Sequence, residues 1–297
     1  MKKISVLLAS YNGVKYIKEQ IDSILNQKEV DVTIFISDDL SNDGTIQYLQ
    51  DIYKDEKRLV YLKSSQKFGG AAKNFFRLIK DVDFSNFDYI SLADQDDIWN
   101  EDKLIRAIEM IEKKHLDAYS SNVLAFWEDG KKILINKSQP QTKYDFLFSS
   151  AGPGCTYVIK KEFLIDFKSQ MLQKELLLKN IELHDWLLYA YARANNYKWF
   201  VDNIPTMLYR QHSNNEFGAN SGLKTFKKRW IKARNGWYRE QILNTIDFCN
   251  YNDKITKAIK NNSLFDKLYL ALNVFKLRKK ISESVVLFFI LIVPGFK

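Results

Sequence analysis

Through its first 125 residues the chain alternates short apolar runs with amphipathic stretches. That alternation confines it to an α/β fold built on a mostly parallel sheet. Residues 4–8, 32–36, 59–62, 89–92 and 118–119 read as strands, whereas residues 17–25, 45–53, 73–79 and 103–111 carry apolar side chains at helical spacing. Farther on, Asp129-Gly130 between two apolar runs predicts a hairpin over residues 125–135. Residues 156–159 read as another strand and residues 186–194 as a helix. A chain of 297 residues has room for one large domain, or for one domain and a smaller appendage. With 46% hydrophobic residues and 4 prolines, it belongs with packed proteins rather than disordered ones. The apolar run at Ile4–Leu8 follows Lys2-Lys3 but is short for a signal peptide and is read as the first strand. Cys155 and Cys249 match no metal or redox spacing and are expected to be ordinary buried thiols in a reducing compartment.

The most specific polar feature lies at the end of the fourth predicted strand, where Ile90-Ser91-Leu92-Ala93 runs into Asp94-Gln95-Asp96-Asp97-Ile98-Trp99. In open α/β sheets ligands bind beyond the carboxyl ends of strands. Three carboxylates there repel one another and call for a cation, and hard divalent ions such as Mg²⁺ or Mn²⁺ suit them. The competing reading is an acidic turn leading into a helix over residues 100–114, with Asp97 or Asn100 as its N-cap.

Three more polar loops fall after predicted strands. Ala9-Ser10-Tyr11-Asn12-Gly13 is a tight turn with donors suited to a nucleotide. Ser37-Asp38-Asp39-Leu40-Ser41-Asn42-Asp43-Gly44-Thr45 offers a carboxylate able to accept the imide N–H of thymine or uracil, or acids that only cap the next helix. Lys67-Phe68-Gly69-Gly70-Ala71-Ala72-Lys73-Asn74 allows a backbone to approach a ligand closely. Neither a P-loop nor a G-x-G-x-x-G pattern follows any strand, which argues against a P-loop hydrolase or a dinucleotide-binding dehydrogenase.

Charge is unevenly divided. Residues 224–297 hold 16 Lys/Arg and 5 Asp/Glu, a net of +11, which leaves residues 1–223 at −2 within the chain's total of +9. A basic tail on a near-neutral body points to an anionic partner surface. The apolar run at 285–293 would span only about 14 Å as a helix, half of a bilayer core, so an interfacial anchor suits it better than a membrane span. Packing on the protein or in a dimer is the alternative. Lys224–Arg239 with Trp230 and Trp237 has basic and aromatic residues that could track a nucleic-acid strand, but a membrane surface suits them equally and no nucleic-acid partner is expected.

Taken together and in order, the loops at 9–13, 38–45 and 94–99 resemble the family 2 glycosyltransferases with a GT-A fold, and Asp-Gln-Asp-Asp-Ile-Trp is most similar to the bacterial rhamnosyltransferase branch. The resemblance covers residues 1 to about 217. It implies a GT-A domain over residues 1–220, with a mostly parallel sheet flanked by helices, and a helical, basic membrane-associating region over 221–297. By the same resemblance Asp39 reads the base, Ser10, Tyr11, Asn12 and Asp94 line the nucleotide pocket, and Asp96 with His212 holds Mg²⁺ or Mn²⁺. Asp185 is implied as catalytic base, and Gly69, Asn74, Trp99, Gly154, His184, Trp186 and Arg210 as donor or acceptor pocket residues. From the residues alone Asp185 can equally be a helix-starting acid, and His212 a packed histidine.

The implied reaction is inverting, metal-dependent transfer of a sugar from a nucleotide diphosphate to a lipid-linked glycan acceptor. L-Rhamnose from dTDP-rhamnose is the first choice of donor, and a UDP-hexose or UDP-N-acetylhexosamine the alternative. The setting would be peripheral, at the cytoplasmic face of the cell membrane. A sugar nucleotidyltransferase is disfavoured because residues 9–13 contain no Lys or Arg, and a non-catalytic nucleotide-sugar-binding partner because every expected carboxylate is present. The sequence leaves the oligomeric state open.

Overall fold

The computed structural model describes residues 1–63, 65–212 and 235–292. The alternation resolves first into β1 (Lys2–Ser10), α1 (Ile17–Leu25), β2 (Val30–Asp38), α2 (Thr45–Ile52), β3 (Leu59–Leu62), α3 (Ala71–Asp81) and β4 (Tyr89–Ala93). The short β5 (Ile98–Trp99) follows, then α4 (Lys103–Lys114), β6 (Ala118–Ser121), β7 (Val123–Phe126) and β8 (Lys132–Ile135). After them come β9 (Val158–Lys160), α5 (Lys161–Gln173), α6 (Glu175–Leu178), α7 (His184–Ala194), β10 (Trp199–Asp202) and β11 (Met207–Arg210).

The main sheet has the order β10-β6-β9-β4-β1-β2-β3 and is parallel except for β9, which runs antiparallel to both of its neighbours. Both faces are covered, as a parallel sheet requires. Along β1, Ile4, Val6 and Leu8 join the apolar cluster under α1 and α4, while Leu7 and Ala9 join the one under α3 and α7. A second sheet, β5-β11-β7-β8, carries the expected Asp129-Gly130 hairpin between β7 and β8.

This register decides where chemistry can occur. Ser10 pairs with Asp38 and Leu8 with Ala93, so the loops leaving β1, β2 and β4 emerge side by side at one sheet edge. Because β9 is antiparallel, the segment leading into it arrives at that same edge, with Val158 opposite Ser91. A 3-10 turn at Gly154–Thr156 occupies the start of the segment expected as strand 156–159, and the strand begins at Val158.

Within residues 235–292, helices α8 (Trp237–Cys249), α9 (Lys254–Asn261), α10 (Leu264–Leu272) and α11 (Ile281–Ile292) close the fold. Ile242, Ile246, Phe248, Ile255, Ile259 and Leu277 are buried in the same cluster as Leu7 and Phe75. Capping boxes at Asp253/Thr256 and Ser263/Asp266 start α9 and α10. Helix α11 divides its surface: Leu287 and Leu291 pack on the body, whereas Ile281, Val285, Val286, Phe289 and Ile292 are exposed. On α10, Leu264, Leu268 and Leu272 form a second exposed apolar row at four-residue spacing. No described helix is long and apolar enough to cross a membrane. Most of Lys224–Arg239, and the polar run following His212, lie outside the described residues.

Candidate active site

The acidic turn forms the centre of the sheet edge. Asp94 and Asp97 place carboxylate oxygens with the Cys155 thiol inside a group whose atoms lie within 4.8 Å of one another. Asp96 turns the other way, its Oδ2 2.7 Å from His212 Nε2. The two acids implied as an Asp-x-Asp pair therefore face different neighbours. His212 in turn stacks on Tyr16, ring centroids 5.1 Å apart.

Asp97 is not the helix cap that spacing allowed. Helix α4 begins at Lys103 after Asp102, and no side chain caps it. Asp97 is instead fully buried and accepts the backbone N–H of Arg210 at 3.0 Å. Burial first, then the charges of Asp96 and Asp94, raise its pKa well above the usual carboxylate range. The same surroundings, burial foremost, raise the Cys155 thiol, so it stays protonated. A lysine sits beneath the turn. Lys103 is 1% exposed, with Nζ 3.4 Å from the centre of the Trp99 ring and 3.3 Å from Ser91 Oγ. Burial lowers its pKa to about 7 against the pull of Cys155 and Asp97.

Gln95, given no role by the sequence reading, ties this turn to the first loop. Its amide accepts the Tyr11 N–H at 2.8 Å and donates to the Tyr11 carbonyl at 2.9 Å. A Cβ on Gly13 would meet Gln95 Oε1 at 2.2 Å, so glycine there follows from the clamp. Asn12 adopts φ 49° and interlocks with the second loop through Ser41 Oγ and the Asn42 N–H. Asp38 accepts from Ser10 Oγ, Ser41 N–H and Ser41 Oγ. Asp43, although partial burial opposes it, is held below its ordinary pKa by hydrogen bonds from Thr45 and Val14. These two acids are thus loop fasteners.

Asp39 is 3% exposed and accepts backbone N–H groups from Phe68, Gly69 (2.9 Å) and Gly70 (3.3 Å), which draws the Gly69–Asn74 segment against the loop after β2. Tyr11 is exposed above it, its hydroxyl accepting from Lys67 Nζ at 2.8 Å. Three expected pocket residues lie elsewhere. Asn74 is 2% exposed and spends its amide on Ser37 and the Ser10 carbonyl, under the pocket floor. Trp99 is buried in β5 beneath Lys103, and Trp186 is buried with Nε1 donating to the Phe146 carbonyl. Arg210 is buried as well. It braces the acidic turn by donating Nε–H to the Asp96 carbonyl at 2.8 Å and pairing with Glu19, with its guanidinium 4.6 Å from both Tyr16 and Phe126 rings.

Asp185 opens α7 beside the Gly154 turn. Its Oδ1 accepts the Trp186 N–H at 2.7 Å, and an edge of the side chain stays accessible. Burial raises its pKa to about 6, with the Trp186 and Ser150 hydrogen bonds and Lys137 opposing. That value suits a group that gains and loses a proton near neutrality. His184 stacks on Phe75 at 4.0 Å, and burial lowers its pKa to about 3, so it is neutral at working pH. A Cβ on Gly154 would lie 2.7 Å from His184 Nε2 and 3.3 Å from Asp185 Cβ. Gly154→Ala is therefore expected to cut kcat by about tenfold to a hundredfold through displacement of Asp185. Steady-state kinetics beside nucleotide affinity checks this, and wild-type kcat would show that the ring yields without moving the carboxylate.

The Asp96 carboxylate and the His212 imidazole beside it are donor types that fit Mg²⁺ or Mn²⁺. The glycosyl transferase family 2 model matches residues 5–169, which span the three strand-end loops and the Gly154 turn. Over 294 residues, 97% of this chain and 100% of the relative, the sequence is 46% identical to the dTDP-rhamnosyl transferase RfbG of Shigella flexneri. A putative teichuronic acid biosynthesis glycosyltransferase of Bacillus subtilis strain 168, TuaG, is 28% identical over 54% of this chain and 62% of its own length. Among solved structures, S. aureus TarS 1–349 in complex with UDP-GlcNAc superposes with a TM-score of 0.55 at 16% identity, over 97% of this chain and 84% of that one. That likeness concerns the fold. A sheet edge with this loop set, a family model across most of it and near-full-length identity to a sugar transferase lead to one assignment: the chain is a glycosyltransferase of family 2, with the GT-A fold.

Proposed function

We propose that the protein transfers L-rhamnose from dTDP-rhamnose, with inversion, to a lipid-linked glycan acceptor in cell-surface polysaccharide synthesis. The observation that carries the donor choice is the 46% identity, over nearly the whole chain, to a protein named a dTDP-rhamnosyl transferase. In this reading Asp185 takes the proton from the acceptor hydroxyl while that oxygen attacks the anomeric carbon. The bond from the anomeric carbon to the β-phosphate oxygen breaks, and dTDP leaves. The partly buried carboxylate, with its pKa near 6, supports that role. Asp96 and His212 are the residues that would hold Mg²⁺ or Mn²⁺. The ion's chemistry is to neutralise charge growing on the departing diphosphate. Asp39 and the exposed ring of Tyr11 are assigned to the base, with Ser10 and Asn12 shaping the loop beneath it.

The region from 221 onward is assigned to an anionic membrane surface at the cytoplasmic face. Support comes from its net positive charge and from exposed Leu264, Leu268, Leu272 and Phe275. Purified full-length protein with Mn²⁺ and a lipid-linked acceptor is expected to turn over dTDP-rhamnose at least tenfold faster than UDP-glucose or UDP-N-acetylglucosamine, measured by release of nucleoside diphosphate. Faster use of a UDP-sugar would overturn the donor, and absence of any donor binding would overturn the whole reading.

A further inference from the structure

Behind the Asp185–Gly154 contact lies a group of cations that the transfer step does not use. Tyr157 Oη is 3.2 Å from the carbonyl oxygens of both Gly152 and Asp185, so the two backbones are joined. Gly152 has φ 145°, and a Cβ there would stand 3.6 Å from Lys137 Cβ and Cγ. Lys137 is held by its own backbone, whose N–H donates to Asn122 Oδ1 at 2.6 Å.

The segment before α11 closes the other side. Lys279 Nζ donates to the Ser150 carbonyl at 3.0 Å, and Arg278 donates to the Phe148 carbonyl while pairing with Glu283. Lys280 follows, its carbonyl accepting the Ser284 N–H at the start of α11. Arg278, Lys280, Glu283 and Asp185 all act electrostatically on Lys137, whose pKa is lowered first by burial. Arg278 and Lys279 are engaged, but the side-chain ammonium groups of Lys137 and Lys280 have no hydrogen-bond or ion-pair partner among the described residues. Both remain partly accessible.

Glu283, the acid that acts on both lysines, is already paired with Arg278, so Lys137 and Lys280 leave an excess of positive charge that an arriving anion would relieve. From that cluster, α11 carries Ile281, Val285, Phe289 and Ile292 outward in one exposed row, at spacings of four, four and three residues. A cationic cluster beside an apolar lane matches an amphiphile with an anionic head.

We propose that Lys137 and Lys280 form the subsite for the diphosphate of a prenyl-diphosphate-linked acceptor, with the exposed row of α11 receiving the start of its hydrocarbon chain. The proposal rests on the lipid-linked acceptor of the preceding section and names where that acceptor is gripped. The diphosphate would then anchor the acceptor on the Gly152 side of the loop while its sugar hydroxyl reaches Asp185 on the Gly154 side.

Farnesyl diphosphate and farnesol serve as probes, titrated into full-length protein with Mg²⁺, both with and without saturating dTDP. The expected result is that the diphosphate binds at least tenfold more tightly than farnesol. Lys137→Ala and Lys280→Ala should each weaken the diphosphate by about tenfold, and Lys137→Arg should keep it within about threefold. Affinity for farnesol and for dTDP should stay unchanged in all variants, which separates loss of the subsite from loss of fold. Equal binding of farnesol and its diphosphate, or undiminished diphosphate binding in both alanine variants, would overturn the proposal. So would loss of flotation on phosphatidylglycerol vesicles by Lys137→Ala with farnesyl diphosphate affinity retained, because the cations would then serve headgroups. Failure of dTDP to bind would strike the donor reading alone, since the titration without dTDP still judges this subsite.

Discussion

Asp185→Asn is expected to lower kcat by about 10²–10⁴ while leaving dTDP-rhamnose affinity within about twofold. Asparagine keeps an oxygen for the Trp186 N–H, which Asp185 now binds at 2.7 Å, so the start of α7 should hold its geometry. What disappears is the proton acceptor. In the wild type the rate should climb through an acid limb with apparent pKa near 6 and level off above about pH 7, following the raised value of this carboxyl. The neighbouring imidazole cannot account for that limb, because burial holds His184 at about 3. The same shift has a stability consequence of opposite sign. A folded-state pKa above the unfolded one means that the fold favours the protonated form. The stabilisation is complete below the unfolded value of 3.8 and is lost as pH rises through about 6. The asparagine variant should therefore match the wild type near pH 4 and melt higher at pH 8. The gain is on the order of 1–2 kcal/mol, reduced because the carboxyl keeps an accessible edge. Wild-type turnover in this variant would place the base elsewhere, and an unchanged melting difference across pH would remove the buried-carboxyl account.

The parts of the fold that could be read in advance are those whose hydrophobic period is long enough to count. The structure gives α1 as Ile17–Leu25 and β3 as Leu59–Leu62, the spans expected from spacing. Strand β5, by contrast, is two residues long and exists because Met207 and Leu208 pair with it. No local period can announce such an element. Side-chain direction was the harder matter. The family resemblance implied Asn74, Trp99 and Trp186 as pocket residues, yet each is buried, because a residue next to a ligand loop can still point into the core. Lys103 shows the converse. As the first residue of an amphipathic helix it should face solvent, but the charge of the turn above and the Trp99 face draw it inside. Gln95 was visible only as a spacer between two aspartates. Its clamp on Tyr11 depends on β1 and β4 lying side by side, which is tertiary information.

Asp96→Asn should lower kcat/KM for the donor by about 10³ or more and abolish its dependence on Mn²⁺, the largest effect expected at the sheet edge after loss of the base. The substitution is a fair test of ligation, because the contact that fixes the turn uses the Asp96 backbone: Arg210 Nε–H donates to the carbonyl oxygen, which asparagine retains. His212→Ala should be milder, about tenfold to a hundredfold, since it removes one ring nitrogen and leaves the Asp96 carboxylate. The 2.7 Å contact between the two side chains predicts that the effects do not add. If both act through one ion, the double variant should be little worse than Asp96→Asn alone. If the histidine only buttresses the carboxylate, Mn²⁺ affinity measured calorimetrically without nucleotide should fall in Asp96→Asn and stay near wild type in His212→Ala. Full activity of the wild type after chelation would refute ion binding at Asp96 altogether. It would leave the Asp96–His212 pair as an internal hydrogen bond that braces β11 against the acidic turn.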